Sequence, residues 1–265
     1  MSTSIRAHHQ KAIDRLVETY QNDTRFNALI IGGSVAKGCA RDDSDVDFFI
    51  VANDNEFDKR KSEGDLFINR TDLCDYPGGF VDGKVVSYSY LQELANKGNE
   101  PSRAAFDGAF IAYSHLDGLS SMVQSIPVYQ ETGHKERLKA FYSMAFMQNW
   151  LMGEANRHDN IYTKSRAATQ LAFYAGRLIL AYNKVLYPYH KWLMHYLEKC
   201  PDKPDSVLEN IKSVLNEPNL QNANRLFQSI QDFSDWGIPD HDAFLWFMEE
   251  VEWSWMNDNT ALEDL

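Results

Sequence analysis

The sequence is short of cysteine, of basic residues and of long apolar runs, and each shortage excludes a class of protein. Its three cysteines, Cys39, Cys74 and Cys200, are odd in number, far apart and free of any CxxC or Cys/His ligand spacing. That arithmetic argues against a disulfide framework and against a zinc site, and the cysteines are read as reduced thiols in a cytoplasmic protein. With 26 Lys and Arg against 38 Asp and Glu, the formal charge is −12. Such a field repels polyanions, so no nucleic-acid partner is expected, while a cationic or neutral partner suits the balance better. No apolar run approaches the roughly 20 residues that a membrane span requires. The polar segment Met1 to Gln10, with Arg6, His8 and His9, lacks the apolar core of a signal peptide. A soluble protein with no membrane partner is expected. What is present is core material: 44% hydrophobic and 13% aromatic residues among 265 positions, ample for one large domain or two modest ones.

Apolar spacing divides the chain into two textures. Ile5, Ile13, Leu16, Val17 and Tyr20 share a helical stripe, followed by the dense run Phe26 to Ile31 that ends at Gly32-Gly33. Val46 to Ala52, Leu66 to Ile68, Phe80 to Tyr88 and Ala109 to Tyr113 are further strand candidates, with Tyr90 to Lys97 and Ser102 to Phe106 helical. The 53–79 stretch reads as largely irregular. After about Pro127, spacings of three and four take over: Leu138, Phe141, Ala145 and Met152 mark one helix, and Leu171, Tyr174, Leu178, Tyr182 and Val185 a second. Further helices are expected near 188–199, 205–215, 219–232 and 240–256, punctuated by prolines. The expected fold is α/β (α+β) with a mixed sheet over residues 1–126, followed by an all-helical bundle over 127–265.

The chemistry concentrates in Ile30-Ile31-Gly32-Gly33-Ser34-Val35-Ala36-Lys37-Gly38 and the following Asp42-Asp43-Ser44-Asp45-Val46-Asp47. A strand ending in Gly-Gly-Ser lets the backbone approach a ligand closely, and the helix that begins there offers unpaired N–H groups to phosphate oxygens. Ser34 is expected both to cap that helix and to donate to phosphate. Asp45 and Asp47, two residues apart at a strand start, point to one face. Paired carboxylates raise one another's pKa, and a hard divalent cation, Mg²⁺ above all, relieves the conflict. Two such ions about 3.5–4 Å apart can bridge a triphosphate and polarise its α-phosphorus. A P-loop would need Lys-Ser/Thr after its second glycine, whereas Cys39 follows Gly38, and the glycines at 32, 33 and 38 do not fit a Rossmann fingerprint.

Gly33-Ser34, Gly38 and Ser44-Asp45-Val46-Asp47 resemble the signature of the DNA polymerase beta-like nucleotidyltransferase superfamily, especially its aminoglycoside and small-molecule branch. The specific motifs cover roughly the first 120 residues. The resemblance implies a third carboxylate on a later strand, serving as metal ligand or base. Asp82 in Phe80-Val81-Asp82-Gly83-Lys84 is the best match, with Lys84 on its face and Asp65, Asp72 and Asp75 as competitors. It also implies a helical domain that closes over the nucleotide and supplies a cation. Lys191 is the candidate, beside Tyr189 or Trp192 to stack on a base, with Arg166 and Arg177 as weaker alternatives.

Lys191 can equally snorkel over apolar surface, and Lys37 can face either phosphate or solvent. His190 and His195 read as ordinary helix residues. Trp246, Trp253 and Trp255 read as packing residues of the bundle, on a stripe with Phe244, Phe247 and Val251; alternatively they line an acceptor cleft beside Glu249, Glu250 and Glu252. The expected reaction is Mg²⁺-dependent transfer of a nucleoside monophosphate from ATP or another NTP to a hydroxyl of a small, aminoglycoside-like acceptor, with pyrophosphate released. The alternatives are transfer to a protein side chain, as in toxin-antitoxin systems, and a catalytically silent nucleotide-binding protein.

Overall fold

In the computed structural model, which describes residues 5–258 and 260–261, Ala12, Ile13 and Leu16 recur at helical spacing as the buried stripe of α1 (Ala7–Tyr20). Apolar side chains at nearly every position of β1 (Phe26–Ile31) bury that strand on both faces. The short helix α2 (Gly33–Ala36) follows, then β2 (Val46–Ala52), equally apolar after its entry. Helix α3 (Asp54–Glu63) lies in the stretch read as irregular. Its apolar content is too thin for a helical stripe, and the helix is held instead by its start: the Asn53 side chain accepts from the Glu56 N–H, while buried Glu56 receives Arg60 at 2.6 Å. Next come β3 (Phe67–Arg70), β4 (Val81–Ser87), α4 (Tyr88–Lys97), α5 (Glu100–Ala104), β5 (Phe110–Ser114) and α6 (Leu119–Ser125).

These strands form a five-stranded sheet in the order β3-β4-β2-β1-β5. Its β2–β4 pair is parallel and its other pairs are antiparallel, so the sheet is mixed, as the sequence implies. Side-chain alternation divides the cores. Val46, Phe48 and Ile50 of β2 pack with Ala12, Ile13 and Leu16 of α1 on one face. Phe49 and Val51 pack with Leu91 and Leu94 of α4 and with Leu119 and Val123 of α6 on the other. Gly83 is required by this arrangement, because a Cβ there would stand 2.1 Å from the Phe48 ring of the neighbouring strand.

The chain divides into two compact units, Met1–Val128 and Tyr129–Leu265. The second is helical: α7 (His134–Arg157), α8 (Ile161–Tyr182), α9 (Leu193–Lys199), α10 (Val207–Asn216), α11 (Leu220–Gln231) and α12 (Asp240–Phe247). Asn160 and Asn219 cap α8 and α11 by accepting from Thr163 and Asn222 N–H groups. Small residues let α8 sit at the centre of the core; a Cβ on Gly176 would meet Leu197 and Leu193 of α9 at 3.0 and 3.1 Å.

Two expectations are corrected in this unit. The predicted helix over 188–199 begins as a 3₁₀ turn, His190–Trp192, because Tyr189 holds a left-handed φ of 75° that a continuous helix excludes. The predicted helix over 240–256 changes at Phe247 into a π-helical turn, Met248–Glu252, and then a 3₁₀ turn, Ser254–Asn257. Phe244, Phe247 and Val251 line one cavity, but the wider turn breaks the 3.6-residue period beyond them. Trp246 stays half-buried, whereas Trp253 and Trp255 are 45% and 62% exposed and do not pack the bundle. No helix among the described residues is long and apolar enough to cross a membrane. Cys39, Cys74 and Cys200 are free thiols.

Candidate active site

The site gathers at the end of the sheet where β1 leaves and β2 and β4 enter. The Gly32 N–H donates to the Asp47 carbonyl at 2.9 Å, which fixes the exit of β1 against the start of β2. Gly33 then turns with φ of +62°, and a Cβ on it would fall 1.7 Å from Asp47 Oδ2. Glycine is needed twice over at this position, for its backbone and for the room it leaves the carboxylate. Gly38 closes the following turn, also with positive φ.

Ser34 does not cap α2, contrary to the sequence reading. Gly32 holds the N-cap position without a side-chain bond, because the left-handed turn falls at Gly33 and carries Ser34 inside the helix. The Ser34 side chain is buried, and its Oγ has no hydrogen-bond partner among the described residues. A buried hydroxyl in that condition costs about 1–3 kcal/mol, which a ligand oxygen can offset.

The parallel register pairs Asp47 with Asp82 and Phe49 with Lys84. Asp45 stands one residue before β2, on the face of Asp47. One oxygen from each of Asp45, Asp47 and Asp82 can lie within 4.8 Å of the others, each side chain half-buried. The sequence left Asp65, Asp72 and Asp75 open as rivals to Asp82, and each is engaged elsewhere. Asp65 pairs with Arg60 at 2.6 Å, Asp72 with Arg70 at 2.5 Å, and Asp75 with Arg15 at 3.3 Å. Burial and, next, the charge of Asp45 push the Asp82 carboxyl above its ordinary range, with Lys84 opposing them. The carboxylates and the unpartnered Ser34 hydroxyl form a donor set of hard oxygens, which suits a divalent cation and a phosphate.

One part of the site was not singled out from the sequence. The Ser44 carbonyl, one residue before Asp45, accepts the Tyr76 hydroxyl at 2.8 Å and lies 3.1 Å from His9 Nε2. The His9 ring is fully buried and meets the Tyr76 ring edge-on, with centroids 5.2 Å apart. Burial, first, lowers the His9 pKa, and burial raises that of Tyr76. The available signal was a histidine on the same helical face as Ala12, Ile13 and Leu16. Lys37 turns its ammonium to the Ala104 carbonyl at 3.1 Å, which ties α2 to α5.

The other sequence candidates belong to the second unit. Lys191 is exposed on the 3₁₀ turn, its Nζ 5.7 Å from the centre of the Trp192 ring. Tyr189 is exposed, and His190 and His195 lie against aromatic rings, those of Phe173 and Trp192. Arg177 is stacked between the rings of Phe141 and Tyr187, 4.3 Å from each centre.

Residues 11–76 match the family described as "Nucleotidyltransferase domain". No curated protein matches the chain. Among solved structures, it is similar to a nucleotidyltransferase-like protein from Exiguobacterium sibiricum 255-15. That likeness has 11% identity and a TM-score of 0.48, over 97% of this chain and 83% of the other. Asp82 lies beyond the matched segment, but the β2–β4 register brings it beside the matched Asp47. The segment 11–76, which holds the glycine turn and the first two carboxylates, is the part of the chain that matches a nucleotidyltransferase domain.

Proposed function

We propose that the protein transfers a nucleoside monophosphate from ATP or another NTP to a hydroxyl of a small acceptor, with Mg²⁺. The observation that carries this reading is the convergence of Asp45, Asp47 and Asp82 beside the Gly33-Ser34 turn. The three carboxylates would hold the metal, two ions in the fullest form, whose contribution when bound is to neutralise the triphosphate and polarise the α-phosphorus. Ser34 donates its buried hydroxyl to a phosphate oxygen, and Gly33 leaves room for the chain beside it. Asp82, whose raised pKa reflects burial and the neighbouring Asp45, takes the proton of the acceptor hydroxyl, directly or through water. The acceptor oxygen forms a bond to the α-phosphorus, the bond from that phosphorus to the bridging oxygen breaks, and pyrophosphate leaves with the electron pair.

The exposed ammonium of Lys191 is the proposed phosphate contact of the helical unit. The formal charge of −12 supports a cationic acceptor of the aminoglycoside kind. The test is pyrophosphate release with Mg²⁺ across a panel of NTPs and hydroxyl acceptors, cationic and neutral. Asp45→Asn and Asp47→Asn should each lower the rate on the order of 100-fold or more, the scale of a lost charge-stabilising contact. Full activity in both variants would overturn the reading.

A further inference from the structure

Within the helical unit, α7 and the segment 244–255 line an open cavity of about 780 Å³ that the proposed reaction does not use. Its size falls within the range of small-molecule pockets, about 300–1,000 Å³. Met144, Met147, Phe247 and Trp255 give it an apolar, partly aromatic lining. Arg166 and Glu252 also line it, so charges of both signs are present and neither sign of ligand is favoured. One further group stands out in this wall. Gln148, only 4% exposed, lines the cavity, and its Oε1 is buried without a hydrogen-bond partner among the described residues.

An unpaired buried amide oxygen costs about 1–3 kcal/mol, whereas an aliphatic side chain could fill the position without that cost. The wall opposite α7 includes Val251 and Glu252 of the π-helical turn Met248–Glu252, a conformation that occurs frequently at functional sites. The cavity, the unpaired acceptor and the π turn are independent features, and they coincide here. We infer that the helical unit binds a neutral small molecule with a flat apolar body and one N–H or O–H donor directed to Gln148 Oε1. Met144 and Met147 supply an adaptable surface to the body of the ligand, and aromatic rings supply contact area at low entropic cost.

Indole and 1-methylindole test this directly, because they differ in the donor alone. Each is titrated into the full-length protein labelled with ¹³C at the methionine methyls. Indole should bind saturably, shift the Met144 and Met147 resonances, and bind about two- to tenfold more tightly than 1-methylindole, the range of one net hydrogen bond. In Gln148→Leu that preference should vanish while both compounds still bind. Met144→Trp, which fills the cavity, should abolish binding of both and leave pyrophosphate release unchanged. The inference is overturned if neither compound saturates, if the two methionines do not respond, or if unmodified protein binds both equally. The last comparison needs no variant, so a Gln148→Leu protein that fails to fold leaves the test intact. Because the readout is binding within the helical unit, its failure is distinct from failure of the nucleotidyl-transfer reading.

Discussion

Asp47 and Asp82 stand opposite one another in the parallel β2–β4 ladder, with Asp45 one residue before the strand. Without a cation, burial and, next, the charge of Asp45 raise the Asp82 pKa above its ordinary value. The folded state therefore holds the Asp82 proton more strongly than the unfolded chain does. The stability from that proton is present below the ordinary carboxylate pKa and is lost as pH rises through the raised folded value. At neutral pH without metal, Asp82→Asn should raise Tm by about 2–4 °C, the shift that about 1 kcal/mol gives a protein of this size. Mg²⁺ should raise the Tm of the wild type more than that of the variant. Thermal unfolding with Mg²⁺ and with chelator measures both, and a metal-free variant less stable than wild type would contradict the account.

Gly33→Ala tests the turn. Its new Cβ would fall 1.7 Å from Asp47 Oδ2 on a backbone with φ of +62°. The left-handed conformation alone costs about 1–2 kcal/mol, and the carboxylate must also move. The expected outcome is a folded protein, slightly less stable, whose pyrophosphate release falls on the order of 100-fold. Gly64→Ala is the control: its φ is +73° but its Cβ would meet nothing within 4 Å. It should lose similar stability and keep its rate.

Tyr76→Phe removes the hydroxyl that meets the Ser44 carbonyl at 2.8 Å and leaves the ring against His9. One net hydrogen bond of about 0.5–1.5 kcal/mol is lost from the residue preceding Asp45. The proposed metal site should loosen without losing a ligand. The Mg²⁺ concentration for half-maximal activity should rise about two- to tenfold, with the rate at saturating Mg²⁺ nearly unchanged. A variant whose saturating rate falls tenfold at unchanged Mg²⁺ dependence would show that Tyr76 acts elsewhere.

Sequence made the centre of the site legible because its parts are close along the chain. Gly33, Ser34, Asp45 and Asp47 span two strands and the turn between them, and their residue types announce close approach and charge. Asp82 was within reach because β4 alternates, although the β2–β4 register and the ion pairs of Asp65, Asp72 and Asp75 are what distinguish it from them. The His9 and Tyr76 contacts to Ser44 depend on packing between positions 35 and 32 residues from it, which local pattern does not encode. Helix α3 went unseen because capping and the Glu56–Arg60 pair stabilise it more than an apolar face does. In the helical unit the 3.6-residue period identified α7 and α8, but the π turn after Phe247 interrupts that period. Trp253 and Trp255 therefore escaped a reading based on spacing.

Arg177 began as an alternative phosphate contact, and its surroundings make a different prediction. Its guanidinium lies 4.3 Å from the ring centres of Phe141 on α7 and Tyr187 beyond the end of α8. A cation between two rings contributes about 0.5–2 kcal/mol, more as it is desolvated. Arg177→Met keeps much of the side-chain length but removes the charge. It should lower Tm by at least about 2–4 °C, while the KM for NTP stays within about twofold of wild type. Arg177→Lys should fall between them, because an ammonium retains charge without the planar surface that stacks on both rings. A tenfold rise in KM with unchanged Tm would instead restore Arg177 as a phosphate contact. Measuring Tm and KM on the same two variants therefore separates an arginine that holds α7 to the segment after α8 from one that holds the nucleotide.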